Sequence, residues 1–264
     1  MKTGQSSKLR SFIEMWPMHT VVTASWLLDQ GYTYSNIQKY VKSNWIQSIG
    51  SRSGAYKRPH DTISWEGAIY GLQQQHPKTF YVGGKSALEK QGAAHYVSLG
   101  QTTIFLFTPE KQSLPYWIQE FVTHNNMTQH HFHTKLLPSE LGLTTFDCGE
   151  FNIQIASRER AAIEMVDLLE KHHTFEECRL VFENLSTLRP KLVQELLEKC
   201  TSVKAKRVFL FLSEKLNLPW MKYINETTID LGEGARQLTP EGHYDSHYKI
   251  TYPKDLFEND TLSI

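Results

Sequence analysis

No run of about 18 apolar residues occurs in the 264-residue chain, so no segment reads as a membrane-spanning helix. The opening Met1-Lys-Thr-Gly-Gln-Ser-Ser-Lys8 has no apolar signal core. Cysteine is scarce: Cys148, Cys178 and Cys200 are odd in number, scattered and without metal spacing. That argues against a disulfide framework and fits a reducing cytoplasm. No internal repeat, low-complexity tract or heptad seam is present. No nucleophile elbow or paired acid–base signature appears, so no catalytic residue is assigned. Net charge is also missing, since 28 Lys and Arg offset 28 Asp and Glu. The zero hides an asymmetry, with +6 on residues 1–60 and −6 on the rest. Phosphate binding needs a local positive field rather than a positive total. A hydrophobic content of 40% is enough for a folded core and too high for a disordered chain.

The stretch from Thr23 to Arg58 carries the most information. Thr23 caps a short helix through Gln30, and Gly31 lets the chain leave it. A second helix over 34–43 is expected to turn Tyr34, Ile37, Tyr40 and Val41 inward. Its outer face then carries Ser35, Gln38, Lys39 and Lys42, with no carboxylate, which suits a DNA groove. Strands over 44–49 and 55–58 flank the turn Gly50-Ser51-Arg52-Ser53-Gly54 and form a basic hairpin. Helix, turn, helix and hairpin together make a winged helix-turn-helix. In such a fold Gln38 can read adenine, and lysines serve a guanine edge or a phosphate. Arg52 would enter a minor groove, while Lys57 and Arg58 would neutralise phosphates.

Around this stretch, Lys8 to Trp16 reads as a first helix stopped by Pro17. A further helix, capped by Ser64, ends at Pro77, where a domain boundary is expected. The expected domains are therefore 1–77 and 78–264. In the second, strands are expected over 79–82, 102–108, 130–137 and 151–155, with a helix from Lys85 to Gln91. From Ser157 the pattern is helical: one helix begins at Ser157, another at the capping box Thr174-Phe-Glu-Glu177, and two more cover 189–200 and 203–216. Strands first and helices after give an α+β class, a winged helix-turn-helix followed by a mixed α/β domain.

The chain resembles the AbiEi family, antitoxins of the AbiE (type IV) abortive-infection systems. The residues carrying the resemblance include Gly54-Ala55-Tyr56, Arg58-Pro59, Trp65-Glu-Gly-Ala-Ile-Tyr-Gly-Leu-Gln73 and Val82-Gly-Gly84. Gln91-Gly92, Ala94-His95-Tyr96, Ser157-Arg-Glu-Arg-Ala161, Leu188-Arg189-Pro190, Cys200 to Leu210 and Asp230-Leu-Gly232 continue it in one order. It departs at the hairpin tip, where Ser51-Arg52-Ser53 lengthens the turn. The resemblance implies a repressor that binds its own promoter, an inverted repeat, through the N-terminal domain. It also implies a C-terminal domain that neutralises a nucleotidyltransferase-like toxin, directly or through the toxin's substrate. A one-component regulator sensing a small ligand is the alternative.

Other signals have plainer explanations. Gly84-Lys85-Ser86 ends like a phosphate loop, but Thr79 stands where that loop needs glycine, so a glycine turn at a helix start suffices. His131-x-His133, near His124 and His130, puts two imidazoles on one strand face without a nearby cysteine, and solvated histidines explain it. No cofactor or metal is assigned. Lys199, Lys204, Lys206 and Arg207 form an acid-free basic run that is expected to oppose an acidic toxin or a phosphate backbone.

Overall fold

A computed structural model describes residues 10–50, 53–77, 79–94, 101–109 and 111–257. Its contacts divide the chain into two compact units, each discontinuous in sequence. The first comprises Met1–Tyr81, Gln101–His131 and Thr145–Gln154, and the second Val82–Gly100, Phe132–Thr144 and Ile155–Ile264.

The first unit opens with helix α1, described over 10–15; residues 8 and 9 of the expected helix lie outside the described residues. Helix α2 (Ala24–Asp29) is capped by Thr23, whose hydroxyl accepts from Trp26 N, and Gly31 leaves it at φ +79°. Helix α3 (Tyr34–Lys42) starts on a reciprocal capping box between Thr33 and Asn36. Phe12 stacks on Trp16 at 5.1 Å and lies 5.4 Å from Tyr32 and 6.2 Å from Tyr40. With Leu27, Ile37 and Ile46 these rings form one buried cluster. Strands β2 (Gln47–Ser48) and β3 (Ala55–Lys57) are the arms of the expected hairpin, antiparallel with Ser48 opposite Tyr56. Strand β1 (Val22–Thr23) adds to the far side of β3, giving a sheet in the order β1-β3-β2. A winged helix-turn-helix fits this arrangement.

Helix α4 (Trp65–Gln75) is capped by Ser64 as expected. Two of its glycines are required by close approach. A Cβ on Gly67 would lie 1.8 Å from the His19 carbonyl oxygen, and one on Gly71 2.6 Å from that of Val21. Gly67 also accepts from Val21 N at 3.3 Å, so the chain entering β1 lies directly on this helix.

A five-stranded sheet follows, ordered β6-β5-β4-β8-β7. Its strands are β4 (Tyr81–Val82), β5 (Thr103–Thr108), β6 (Thr128–His133), β7 (Leu143–Asp147) and β8 (Asn152–Ala156). Strands β4 and β8 run parallel, with Val82 opposite Ile155. Helices α5 (Gly84–Lys90) and α6 (Tyr116–His124) precede α7 (Arg158–Asp167), α8 (Phe175–Phe182), α9 (Pro190–Lys199) and α10 (Val203–Lys215). The sequence reading does not contain α6, β1 or β7. Within the second unit α7 packs against α5, α9 and α10. Residues Ala205 to Ser213 are buried without interruption, so α10 is a helix covered on all sides. Strands β9 (His243–Asp245) and β10 (Ile250–Tyr252) form a terminal hairpin.

Candidate nucleic-acid interface

Helix α3 buries only two side chains, Ile37 and Tyr40. At about 100° per residue, the direction opposite them falls between Ser35 and Lys42. Ser35, Gln38, Lys39 and Lys42 are all exposed, so the fold brings the four expected residues onto one outward face. Tyr34 and Val41 depart from the expectation. They lie at the edge of the buried arc, and the core is already filled by Phe12, Tyr32 and Tyr40; Tyr34 is 64% and Val41 40% exposed. Asn44, at φ +54°, ends the helix, and Trp45 N donates to Tyr40 O at 2.9 Å. From residue 30 to 60 the sequence has no Asp or Glu, so no carboxylate on this segment opposes its cations.

The cations of the hairpin have different fates. Lys57 Nζ donates to the Asp61 carbonyl at 2.8 Å. The Asp61 carboxylate in turn accepts from His19 N at 2.7 Å and pairs with His19 Nδ1 at 2.8 Å. Arg58 was expected to meet phosphates, but its Nη2 donates to the carbonyls of Ile13 and Trp16, and its guanidinium lies over the Trp16 ring. It satisfies carbonyls at the end of α1, which have no partner within the helix. Arg52 and the hairpin tip lie outside the described residues.

The basic run over 199–207 requires a larger correction: Lys199 ends α9, and Lys204, Lys206 and Arg207 lie on α10. Arg207 is 1% and Lys206 3% exposed, so neither belongs to an outer surface. Arg207 Nε donates to Leu231 O at 2.7 Å, Nη1 to Gly234 O at 2.7 Å and Lys249 O at 3.3 Å, and Nη2 to Gly232 O at 3.0 Å. Burial pushes its pKa below the usual guanidinium value, with Arg236 adding to the effect. Lys204 Nζ donates to Leu169 O at 3.1 Å, and Lys199 pairs with Glu195 at 2.6 Å. The run is divided between two helices, and on α10 residues spread at 100° intervals do not share one face, so two of the run's three cations there point into the protein.

The glycine turn at Gly83-Gly84 meets a carboxylate of the protein itself. Gly84 N donates to Glu164 Oε2 at 3.0 Å, and Glu164 Oε1 accepts from Arg160 Nε at 2.8 Å. Arg160 Nη1 donates to Pro138 O and Leu141 O, both at 2.6 Å. Next to it, Arg158 donates to Gln91 O, and Glu159 accepts from Arg189 N, Nε and Nη2, each at 2.9 Å. Burial would raise the Glu159 pKa, but the Arg189 donors outweigh it and hold the carboxyl at about 2. The residues 157–161 therefore tie α5, α7 and α9 together. As for the histidines, the His131 ring packs on Phe80 at 5.5 Å and the His130 ring on Phe105 at 5.2 Å. Among the described residues no three His, Cys, Asp or Glu form a group able to hold a metal. Among the same residues no helix is long and apolar enough to cross a membrane.

Two family models match the chain. One, described as the N-terminal domain of an AbiEi antitoxin transcriptional regulator, matches residues 5–99. The other, described as an AbiEi antitoxin transcriptional regulator of a type IV toxin–antitoxin system, matches residues 101–253. The crystal structure of the RV2827C protein from Mycobacterium tuberculosis is similar in fold, with a TM-score of 0.60 at 13% identity. The similarity covers 99% of this chain and 96% of that one. None of the curated proteins compared with the chain matches it.

Proposed function

Because this chain belongs to the AbiEi family of antitoxin transcriptional regulators, we propose that it represses its own operon by placing α3 in the major groove of promoter DNA. The observation that carries this is the outward face of α3, where Ser35, Gln38, Lys39 and Lys42 stand together opposite the buried Ile37 and Tyr40. Gln38 contacts a base edge, while Lys39 and Lys42 meet phosphates or a guanine edge. The wing lies on the neighbouring backbone with Lys57 at its base. Arg52, from the hairpin tip, enters the minor groove. Two copies bind the halves of an inverted repeat. Residues 78–264 supply the antitoxin function against a nucleotidyltransferase-like toxin, by binding rather than by catalysis, in the cytoplasm. Of the basic run, Lys199 and Lys204 remain as candidates for that contact.

Binding of the full-length protein to its own upstream duplex, followed by fluorescence anisotropy across a salt series, tests the first part. About four neutralised phosphates give a log–log slope of about −4. A flat salt response, or no binding, overturns it. A ligand sensor would need a cavity of roughly 300 Å³ or more. The cleft along α9 between Arg189, Leu192, Glu195, Glu198 and Tyr223 has about 920 Å³ and lies open to solvent, whereas the cavity between Trp16, Val22, Trp26, Tyr70 and Gln74 has about 10 Å³, space for a single water.

A further inference from the structure

Tyr34 and Val41 are two helical turns apart on α3, with Gln38 between them on the same side. All three are exposed, and Trp45, 51% exposed, follows just past the helix end. A lone exposed apolar residue means little, but these form a stripe on a helix that otherwise shows hydroxyl, amide and ammonium groups. Two turns of helix rise about 10.5 Å, close to three base-pair steps of about 3.4 Å. The apolar group that a major groove offers to such a stripe is the C5-methyl of thymine.

We propose that Tyr34 and Val41 read thymine methyls on either side of an adenine contacted by Gln38, which makes the binding site A·T-rich under α3. This rests on α3 being the groove helix. The occupant follows from charge: the stripe lies beside Lys39 and Lys42 on a segment without carboxylates, which is complementary to a phosphate-lined groove. A second copy of the chain, docked face to face on this stripe, would bring the same lysines against each other.

The probe is the duplex that the full-length protein enriches from a randomised pool, prepared once with dT and once with dU. Replacing dT with dU should weaken binding about fourfold for each methyl covered, the worth of one buried methyl group. Val41→Ala should bind the dT duplex less tightly and lose the distinction between dT and dU at one position. Tyr34→Ser should do the same at another. Both residues are exposed, and circular dichroism should show both variants folded. Equal binding of dT and dU duplexes by the parent overturns the proposal and leaves α3 as a groove helix. Enrichment of no duplex at all sinks both readings. If Val41→Ala keeps the full distinction, Val41 does not touch a methyl. If instead the free protein sediments as a dimer that Val41→Ala and Tyr34→Ser abolish, the stripe is an interface between copies and the proposal fails.

Discussion

Arg207 offers the sharpest test of the second unit. Its guanidinium is buried and donates to four backbone carbonyls, those of Leu231, Gly232, Gly234 and Lys249. Arg207→Met keeps most of the stem volume and removes every donor. Charge-assisted hydrogen bonds contribute roughly 1.5–3 kcal/mol each, but they share one cation and do not add. Gly232 and Gly234 lie on an exposed segment, so water reaches part of the vacated site and offsets some of the loss. The expected destabilisation is therefore about 3 kcal/mol, well below the sum of the bonds. For a chain of this size that corresponds to a fall in Tm of roughly 6–12 °C. Arg207→Lys should recover part of it, since the charge remains but the planar fork does not. Arg207→Glu should be worse than methionine, because it sets a carboxylate against carbonyl oxygens. Urea unfolding followed by circular dichroism measures the loss. Hydrogen exchange at 231–234 and 249 should rise before exchange elsewhere. If Arg207→Met unfolds within about 0.5 kcal/mol of the parent, the cation is not holding this segment and the reasoning fails. Lys199→Glu, at an exposed i,i+4 pair with Glu195, is the control and should change stability by less than about 0.5 kcal/mol.

Gly67→Ala should destabilise by at least about 2 kcal/mol, because its methyl meets the backbone carbonyl of His19 rather than a side chain that can move; calorimetry reads the shift. Glu159 titrates at about 2 in the folded protein against an ordinary 4.5, so its contribution is complete above about pH 4.5 and lost as pH falls through about 2. That difference corresponds to at most about 3 kcal/mol. Glu159→Gln should lower stability at pH 7 and flatten part of the acid limb, and an unchanged pH profile in urea titrations would contradict this. Glu177, also held at about 2 by hydrogen bonds from His173 and Lys85 against its burial, keeps the rest of that limb. Native alkylation should label the half-buried Cys148 before Cys178 and Cys200. Burial raises both of those thiols, Cys200 to about 11, and peptide mass spectrometry would show the order.

Helix starts were legible because a cap is a local event. Thr23, Thr33, Ser64, Ser157 and Thr174 each accept from an amide three residues on, so neighbouring residues decide the geometry. The basic outer face of α3 was legible for a similar reason, since a wide polar arc opposite two core residues survives small errors in the wheel. Its edge was not. Tyr34 and Val41 sit where either side is open, and the space left by the packed Phe12, Tyr32 and Tyr40 rings decided against them.

Strand β1 escaped because two residues carry no periodicity, and its partner β3 lies more than thirty residues further along the chain. Its neighbour α4 gave a signal in the spacing of Gly67 and Gly71, whose meaning appears only once the backbone at His19 and Val21 lies on them. Helix α6 follows Pro115 and begins Tyr116-Trp117-Ile118, residues whose local preference favours strand, and burial of Trp117, Ile118 and Phe121 overrides it. By itself, then, the sequence determined the caps, the two helices and the hairpin of the winged-helix segment, which follow from contacts within a short stretch of chain, and the charge asymmetry, which is composition. Tertiary structure alone decided that Arg207 and Lys206 face inward. Arg207, next to an apolar run, reads as a surface cation until carbonyls from residues more than twenty positions away supply the acceptors that let it be buried.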